Sequence, residues 1–189
     1  MHHAVTMLAR GTAIVGGCVL VALVVLTTTS ILGRVLNDVL HSDVAASVFG
    51  DMAQRLLDLG IGEVSGSYEL LEAGIALAIF SFFPICQLHG AHATVDVFTS
   101  RLSARVTRVL VAFWEIVLTA ALLLISVQLL GGVQRYYGNG ETTLFLQFPV
   151  WWAYSASFAA SVVTCLVAVY CAVMRMRACV TGQSYLEEG

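Results

Sequence analysis

The sequence predicts an all-α membrane protein: four transmembrane helices plus one or two interfacial amphipathic helices. Three observations carry this reading. Four long runs, 13–32, 70–88, 109–133 and 150–174, are free or nearly free of charge. An α-helix rises ~1.5 Å per residue, so ~20 apolar residues cross a ~30 Å hydrocarbon core. The chain is 59% hydrophobic and 11% charged, about half the charge of an ordinary soluble domain. Its nine basic residues are all arginine and fall unevenly between the connections. Four spans leave no room for a second domain, so residues 1–189 form a single four-helix membrane domain, read here as one small bundle.

The first run carries no charge and follows Arg10. A cleaved signal peptide also begins with a positive charge, but its apolar core is only ~7–15 residues long. Run 13–32 exceeds that, and no small-residue cleavage pattern follows. It is read as a retained anchor.

The first connection contains a patterned segment, approximately 44–59. Ala45, Val48, Phe49, Met52, Leu56 and Leu59 recur at helical spacing, and Asp51, Gln54, Arg55 and Asp58 take the other face. That periodicity predicts an amphipathic helix lying in the interface or against a partner. Ser42 or Asp43 can cap its start and Gly60 its end. Gly62, Ser65 and Gly66 then give a flexible approach to the second run.

The second run has one charge, Glu72, near its start, and Pro84 near its end. Proline removes a backbone donor and crowds the carbonyl four residues back, here Phe80, so a kink is expected. A second interfacial helix is expected at about 94–107. Val95, Phe98, Leu102 and Val106 line one stripe, and Arg101, Arg105 and Arg108 another. Thr94 suits the N-cap, and Asp96 lies in the first turn, where negative charge is favoured.

The third run holds one charge, Glu115, and the fourth holds none. Both exceed the length needed to cross, so they should tilt or project. Between them, Tyr136, Tyr137, Phe148, Trp151, Trp152 and Tyr154 crowd one boundary. Tyrosine and tryptophan collect where lipid meets water, and anchoring accounts for this belt without a ligand.

Arginine sets the orientation. Arg10, Arg101, Arg105, Arg108, Arg175 and Arg177 belong to the amino terminus, the second connection and the tail. The positive-inside rule puts these in the cytoplasm, with both termini inside. Asp38, Asp43, Asp51, Asp58, Glu63, Glu69, Glu72 and Glu141 then lie on the outer side with only Arg34, Arg55 and Arg135. Such an acidic face either docks a basic partner or reflects carboxylates tolerated on translocated loops. The formal charge of −3 makes a nucleic-acid partner unsuitable.

Few residues suggest chemistry. A charge at the bilayer centre costs roughly 2.5–3.5 kcal/mol on insertion scales. Glu115 should therefore face protein, be protonated or sit shallow enough to reach the interface; facing protein, it meets a partner subunit, lines an ion path or bonds to another helix of the bundle. Glu69 and Glu72 share a helix face, as do His89 and His92, but nothing completes an acid–base pair or a metal site around either. The five cysteines form no C-x-x-C pair and read as small packing residues. No glycine-rich phosphate loop or nucleophile–base pair is present. The residues point to no cofactor and no catalytic group. The competing readings are a small four-helix membrane enzyme, a quinone- or lipid-binding subunit, and a self-associating channel.

The order of short motifs adds a family resemblance. The first span ends in Leu32-Gly33-Arg34, and the second begins with Tyr68-Glu69-Leu70-Leu71-Glu72. It leaves through Gly90-Ala91-His92-Ala93-Thr94-Val95-Asp96, a G-x-H-x-x-x-D pattern. Gly140-Glu141-Thr142 forms the outer turn, and Phe148-Pro149-Val150-Trp151 opens the fourth span. Over about 13–175 the chain resembles the small integral-membrane subunit of tripartite ATP-independent periplasmic (TRAP) transporters. It departs in residues 38–62, which look longer than that family's usual link.

The resemblance implies a secondary importer in the bacterial inner membrane. A soluble periplasmic solute-binding protein captures a small organic solute, and a large multi-span permease subunit carries it inward. The small subunit braces the large one and helps dock the binding protein. The implied contact candidates are Glu69, Glu72, Gly90, His92, Asp96, Glu115, Glu141, Pro149 and Trp151, besides membrane lipids.

Overall fold

The computed structural model describes residues 2–42, 60, 62–89 and 104–181. Within them lie four α-helices: α1 His2–Leu40, α2 Ser67–His89, α3 Ala104–Asn139 and α4 Val150–Thr181. All four are long and apolar enough to cross a membrane, and the chain is an all-α, multi-pass membrane protein. The interfacial helix expected at 44–59 lies outside the described residues, as do positions 94–103 of the second. Residues 104–107 belong to the first turn of α3.

Each helix overruns the apolar run that predicted it. α1 has 39 residues, α3 has 36 and α4 has 32. At 1.5 Å per residue these are ~48–58 Å long, well beyond a ~30 Å core. Membrane insertion is decided by the apolar stretch, whereas the helix continues until a residue stops it. Gly140 stops α3: with φ 65° it takes the left-handed conformation, and its amide donates to the Tyr136 carbonyl at 3.1 Å. Pro149 precedes α4, where proline's fixed φ costs no intrahelical bond. Its carbonyl accepts from the Trp152 amide at 3.0 Å.

The helices alternate in direction. One end of the molecule carries His2, His89, Ala104 and Thr181, and is called the termini end. The other carries Leu40, Ser67, Asn139 and Val150, and is called the loop end. α1 packs on α2, α2 on α4, and α4 on α3. α1 reaches α4 only marginally, where Ala9 joins Leu88, Val167 and Cys171 in one cluster. Among the described residues α1 and α3 do not pack on each other. The expected small bundle is therefore open: three seams run in a row, and no fourth seam closes the ring. α4 is the central element, buried from both sides, and the outer faces of α1 and α3 carry most of the exposed Val, Ile and Leu.

Small and hydroxylated side chains form the seams. Lipid is as apolar as leucine, so helix association in a membrane rests on close backbone approach and hydrogen bonds. Gly16 on α1 faces Ser81 so closely that a Cβ there would sit 2.7 Å from the Ser81 Cβ. Ser30 and Ser67 share a hydrogen bond of 3.1 Å between α1 and α2, and Ser126 and Ser161 one of 3.0 Å between α3 and α4. Cys165 and Cys171 fill buried positions, whereas Cys18 is exposed. Several hydroxyls outside the seams bond to their own helix, as Thr29 does to the Val25 carbonyl at 2.8 Å and Thr27 to the Leu23 carbonyl at 2.9 Å, which spares them an unsatisfied donor toward lipid.

Pro84 sits inside α2, fully buried, and the helix runs unbroken through it. Proline has no N–H to give to the carbonyl of Phe80. The Thr164 hydroxyl of α4 lies 2.8 Å from that oxygen and 3.0 Å from the Ala160 carbonyl of its own helix. The acceptor released by the proline is satisfied from the neighbouring helix, a route open to helix-breaking residues in membrane interiors.

Candidate functional site

Two polar constellations stand out, one toward each end. At the termini end, Gln87 of α2, Glu115 of α3 and Arg175 of α4 close a ring. The Gln87 side-chain amide donates to Glu115 Oε1 at 2.5 Å. Arg175 Nη1 donates to Glu115 Oε2 and forms an ion pair with it. Arg175 Nη2 donates to the Gln87 backbone carbonyl at 3.1 Å. Glu115 is 3% exposed and Gln87 is fully buried.

Helix direction explains the meeting. Cα–Cβ bonds tilt toward the N-terminus of their own helix. α4 runs toward the termini end, so Arg175, just past the apolar run, leans back into the layer. α3 runs the opposite way, so Glu115 leans toward the termini end and meets it. The pair is neutral as a unit, and Gln87 supplies a further donor to the carboxylate. A paired, hydrogen-bonded charge is the form in which ionisable groups persist inside membranes.

Of the readings open to Glu115, the geometry is that of a bond between helices of the chain. Sequence reasoning missed both partners. The sequence places Arg175 in the tail, and no pattern there singles out Gln87. A lone carboxylate in one run and an arginine beside the end of an antiparallel run were the available signal.

At the loop end, Glu69 holds the connection between α3 and α4. Its two carboxylate oxygens accept the backbone amides of Phe145 at 2.8 Å and Leu146 at 3.0 Å. Two amides aimed at one carboxylate give charge-assisted bonds, stronger than neutral ones. The base of the loop is closed by an isolated β-bridge between Thr142 and Pro149. Thr143 N donates to the Phe148 carbonyl and Val150 N to the Glu141 carbonyl, both at 3.0 Å. Gly66 permits the contact: its φ is 80°, and a Cβ there would lie 2.5 Å from Leu146 Cγ. Leu144 and Phe145 are left strongly exposed at the tip.

The aromatic belt lies beside this loop. Tyr137 meets Trp151 edge-on at 5.4 Å, Trp151 meets Trp152 at 6.1 Å, and Tyr136 packs on Tyr154 at 4.8 Å. The structure thus brings Glu69, Pro149 and Trp151 into one region, with Glu72 and Glu141 exposed near it. Gly90, His92 and Asp96 lie outside the described residues. Glu115 is at the opposite end, apart from the others.

These features define a multi-pass helical membrane subunit whose inward-facing charges are bonded to one another. The family model of the DctQ component of tripartite ATP-independent periplasmic transporters matches residues 44–178, and the chain belongs to that family. The match takes in α2, α3 and most of α4, while α1 precedes it. No curated protein and no solved structure matches the chain. Membership makes it a small TRAP transporter component, and that family is one of transporter components.

Proposed function

We propose that this subunit is a static frame that braces the large permease subunit and helps receive the periplasmic solute-binding protein. One observation carries the reading: the polar groups at the helix seams bond within the chain, while the outer faces of α1 and α3 stay apolar and broad. Such an open row offers a large lateral surface to a second membrane protein. Fixing Glu115 to Arg175 and Gln87 favours a frame over an ion path.

The orientation follows from charge. Arg10, Arg175 and Arg177 lie at the termini end, and Glu63, Glu69, Glu72 and Glu141 at the loop end. By the positive-inside rule the termini end is cytoplasmic in the bacterial inner membrane. The acidic loop end then faces the periplasm, where a basic patch on the binding protein would meet it. Glu69, Glu72, Glu141, Pro149 and Trp151 are the described contact candidates there, Glu115 is the described candidate toward the other end, and Gly90, His92 and Asp96 remain candidates on the cytoplasmic side.

Co-expression tests this. A tagged chain should bring a much larger multi-span protein out of detergent extracts, and cells deleted for the chain should lose solute uptake. Recovery as a lone monomer, or full uptake in the deletion strain, would refute the reading. Labelling of the carboxyl tail from the periplasm would refute the orientation.

A further inference from the structure

A cavity of about 330 Å³ lies at the loop end, between α2, α4, one residue of α3 and the α3–α4 loop. Two facing stripes at i, i+3, i+4, i+7 spacing form its walls: Glu69, Glu72, Ala73 and Ala76 on α2, and Val150, Ala153, Tyr154 and Ser157 on α4. Leu129 closes the α3 side, and Thr143 and Phe148 come from the loop. The volume is at the low end of the range for small-molecule sites.

Depth along the helices gives the cavity its character. Glu69, Glu72 and Phe148 sit at the boundary where the apolar runs begin. At 1.5 Å per residue, Ala76 lies ~6 Å beyond Glu72 and ~10 Å beyond Glu69, Ser157 ~10 Å beyond Val150, and Leu129 ~15 Å from the end of α3. The space is therefore carboxylate-bearing at its mouth and mainly apolar below, with Tyr154 on the wall between. Arg135 is exposed and shares a face of α3 with Gly132 and Tyr136, both of which lie against the Tyr154 ring, so a positive charge stands beside the mouth that Glu69 and Glu72 line. Glu69 already accepts two loop amides, whereas Glu72 is exposed.

We propose that this cavity binds one acyl chain of a zwitterionic aminophospholipid, its ammonium group against Glu72 and its phosphate toward Arg135. Charge complementarity selects the occupant. A lipid with net negative charge gains only the Arg135 contact and meets repulsion from Glu69 and Glu72. A zwitterion satisfies both signs and leaves its chain in the apolar floor. The lipid would tie the α3–α4 loop to the bilayer through the same residues that form the roof.

Native mass spectrometry of the full chain tests this, using the protein as it purifies from membranes. It is reconstituted with equal amounts of phosphatidylethanolamine and phosphatidylglycerol. Phosphatidylethanolamine should be retained in excess by about tenfold, the ratio that one charge-assisted contact supports. Glu72→Gln, at an exposed position, should fold normally and bring the ratio to near parity. Ala76→Phe should reduce retention of both lipids by filling the floor. Equal retention by the unaltered chain, or an unchanged preference in Glu72→Gln, would overturn the assignment. Loss of the preference only when a second membrane protein co-purifies would assign the cavity to a protein contact and overturn it equally.

Discussion

The Thr164 hydroxyl lies 2.8 Å from the Phe80 carbonyl, the one acceptor in α2 that Pro84 cannot serve. A residue on α4 thus repairs a gap made by a proline four positions further along α2. Proline and threonine function here as a pair, although 80 positions separate them.

That pairing predicts a specific coupling. Thr164→Val should lower stability by ~1 kcal/mol, because a buried carbonyl loses its donor. In a Pro84→Ala background the backbone amide at position 84 returns, and Thr164→Val should then cost distinctly less. Thermal unfolding of the four proteins in a double-mutant cycle measures the difference. Equal costs in both backgrounds would show that Thr164 does not compensate for the proline.

The ring at the termini end predicts a larger effect. Glu115→Gln leaves the Arg175 guanidinium inside the layer without a counter-charge, and Arg175→Gln strands the carboxylate. Removing one partner of a buried pair costs ~3–5 kcal/mol. The double variant Glu115→Gln, Arg175→Gln removes both charges and should recover most of the loss. Resistance to unfolding in mild detergent reports it. A double variant no better than either single one would contradict the pairing.

Glu69 should control the loop rather than the core. Glu69→Ala removes the acceptor for the Phe145 and Leu146 amides. Their hydrogen exchange should quicken by about tenfold or more, as expected for losing charge-assisted bonds. Amides in the middle of α4 should keep their protection. Exchange–mass spectrometry resolves the two regions, and unaltered loop exchange would argue against the clasp.

Neighbouring glycines in α1 should behave differently. Gly16→Ala places a methyl 2.7 Å from the Ser81 Cβ, and the seam must shift at a cost of ~1–3 kcal/mol. A Cβ at Gly17 meets nothing within 4 Å, so Gly17→Ala should be neutral or stabilising by up to ~1 kcal/mol through helix propensity. Thermal unfolding of both variants distinguishes a packed seam from a surface exposed to lipid.

Much of the fold was legible from residue types alone. The four apolar runs became four helices with their cores in the expected places, and Pro149 and Gly140 mark helix ends as their backbone restrictions require. The aromatic belt also formed where Tyr136, Tyr137, Trp151 and Trp152 suggested. The candidate site was less legible. Glu69 and Glu72 share a helix face and both line the cavity, yet only Glu69 holds the loop amides. That division depends on where the α3–α4 connection folds back, which no local pattern states. Glu115 plainly needed a partner, but Arg105, Arg108, Arg175 and Arg177 all lay near the same end of the chain's spans.

The sequence by itself determined how many times the chain crosses lipid, and approximately where, because the free energy of moving apolar residues out of water accumulates locally along a helix. Tertiary structure decided that the helices form an open row with α4 at its centre, that Arg175 answers Glu115, and that Thr164 answers Pro84. Those outcomes depend on each helix's rotation about its axis and on its choice of neighbour. Both are set by close contact among small residues far apart in the chain, such as Gly16 with Ser81 and Ser126 with Ser161, and not by any stretch of sequence read alone.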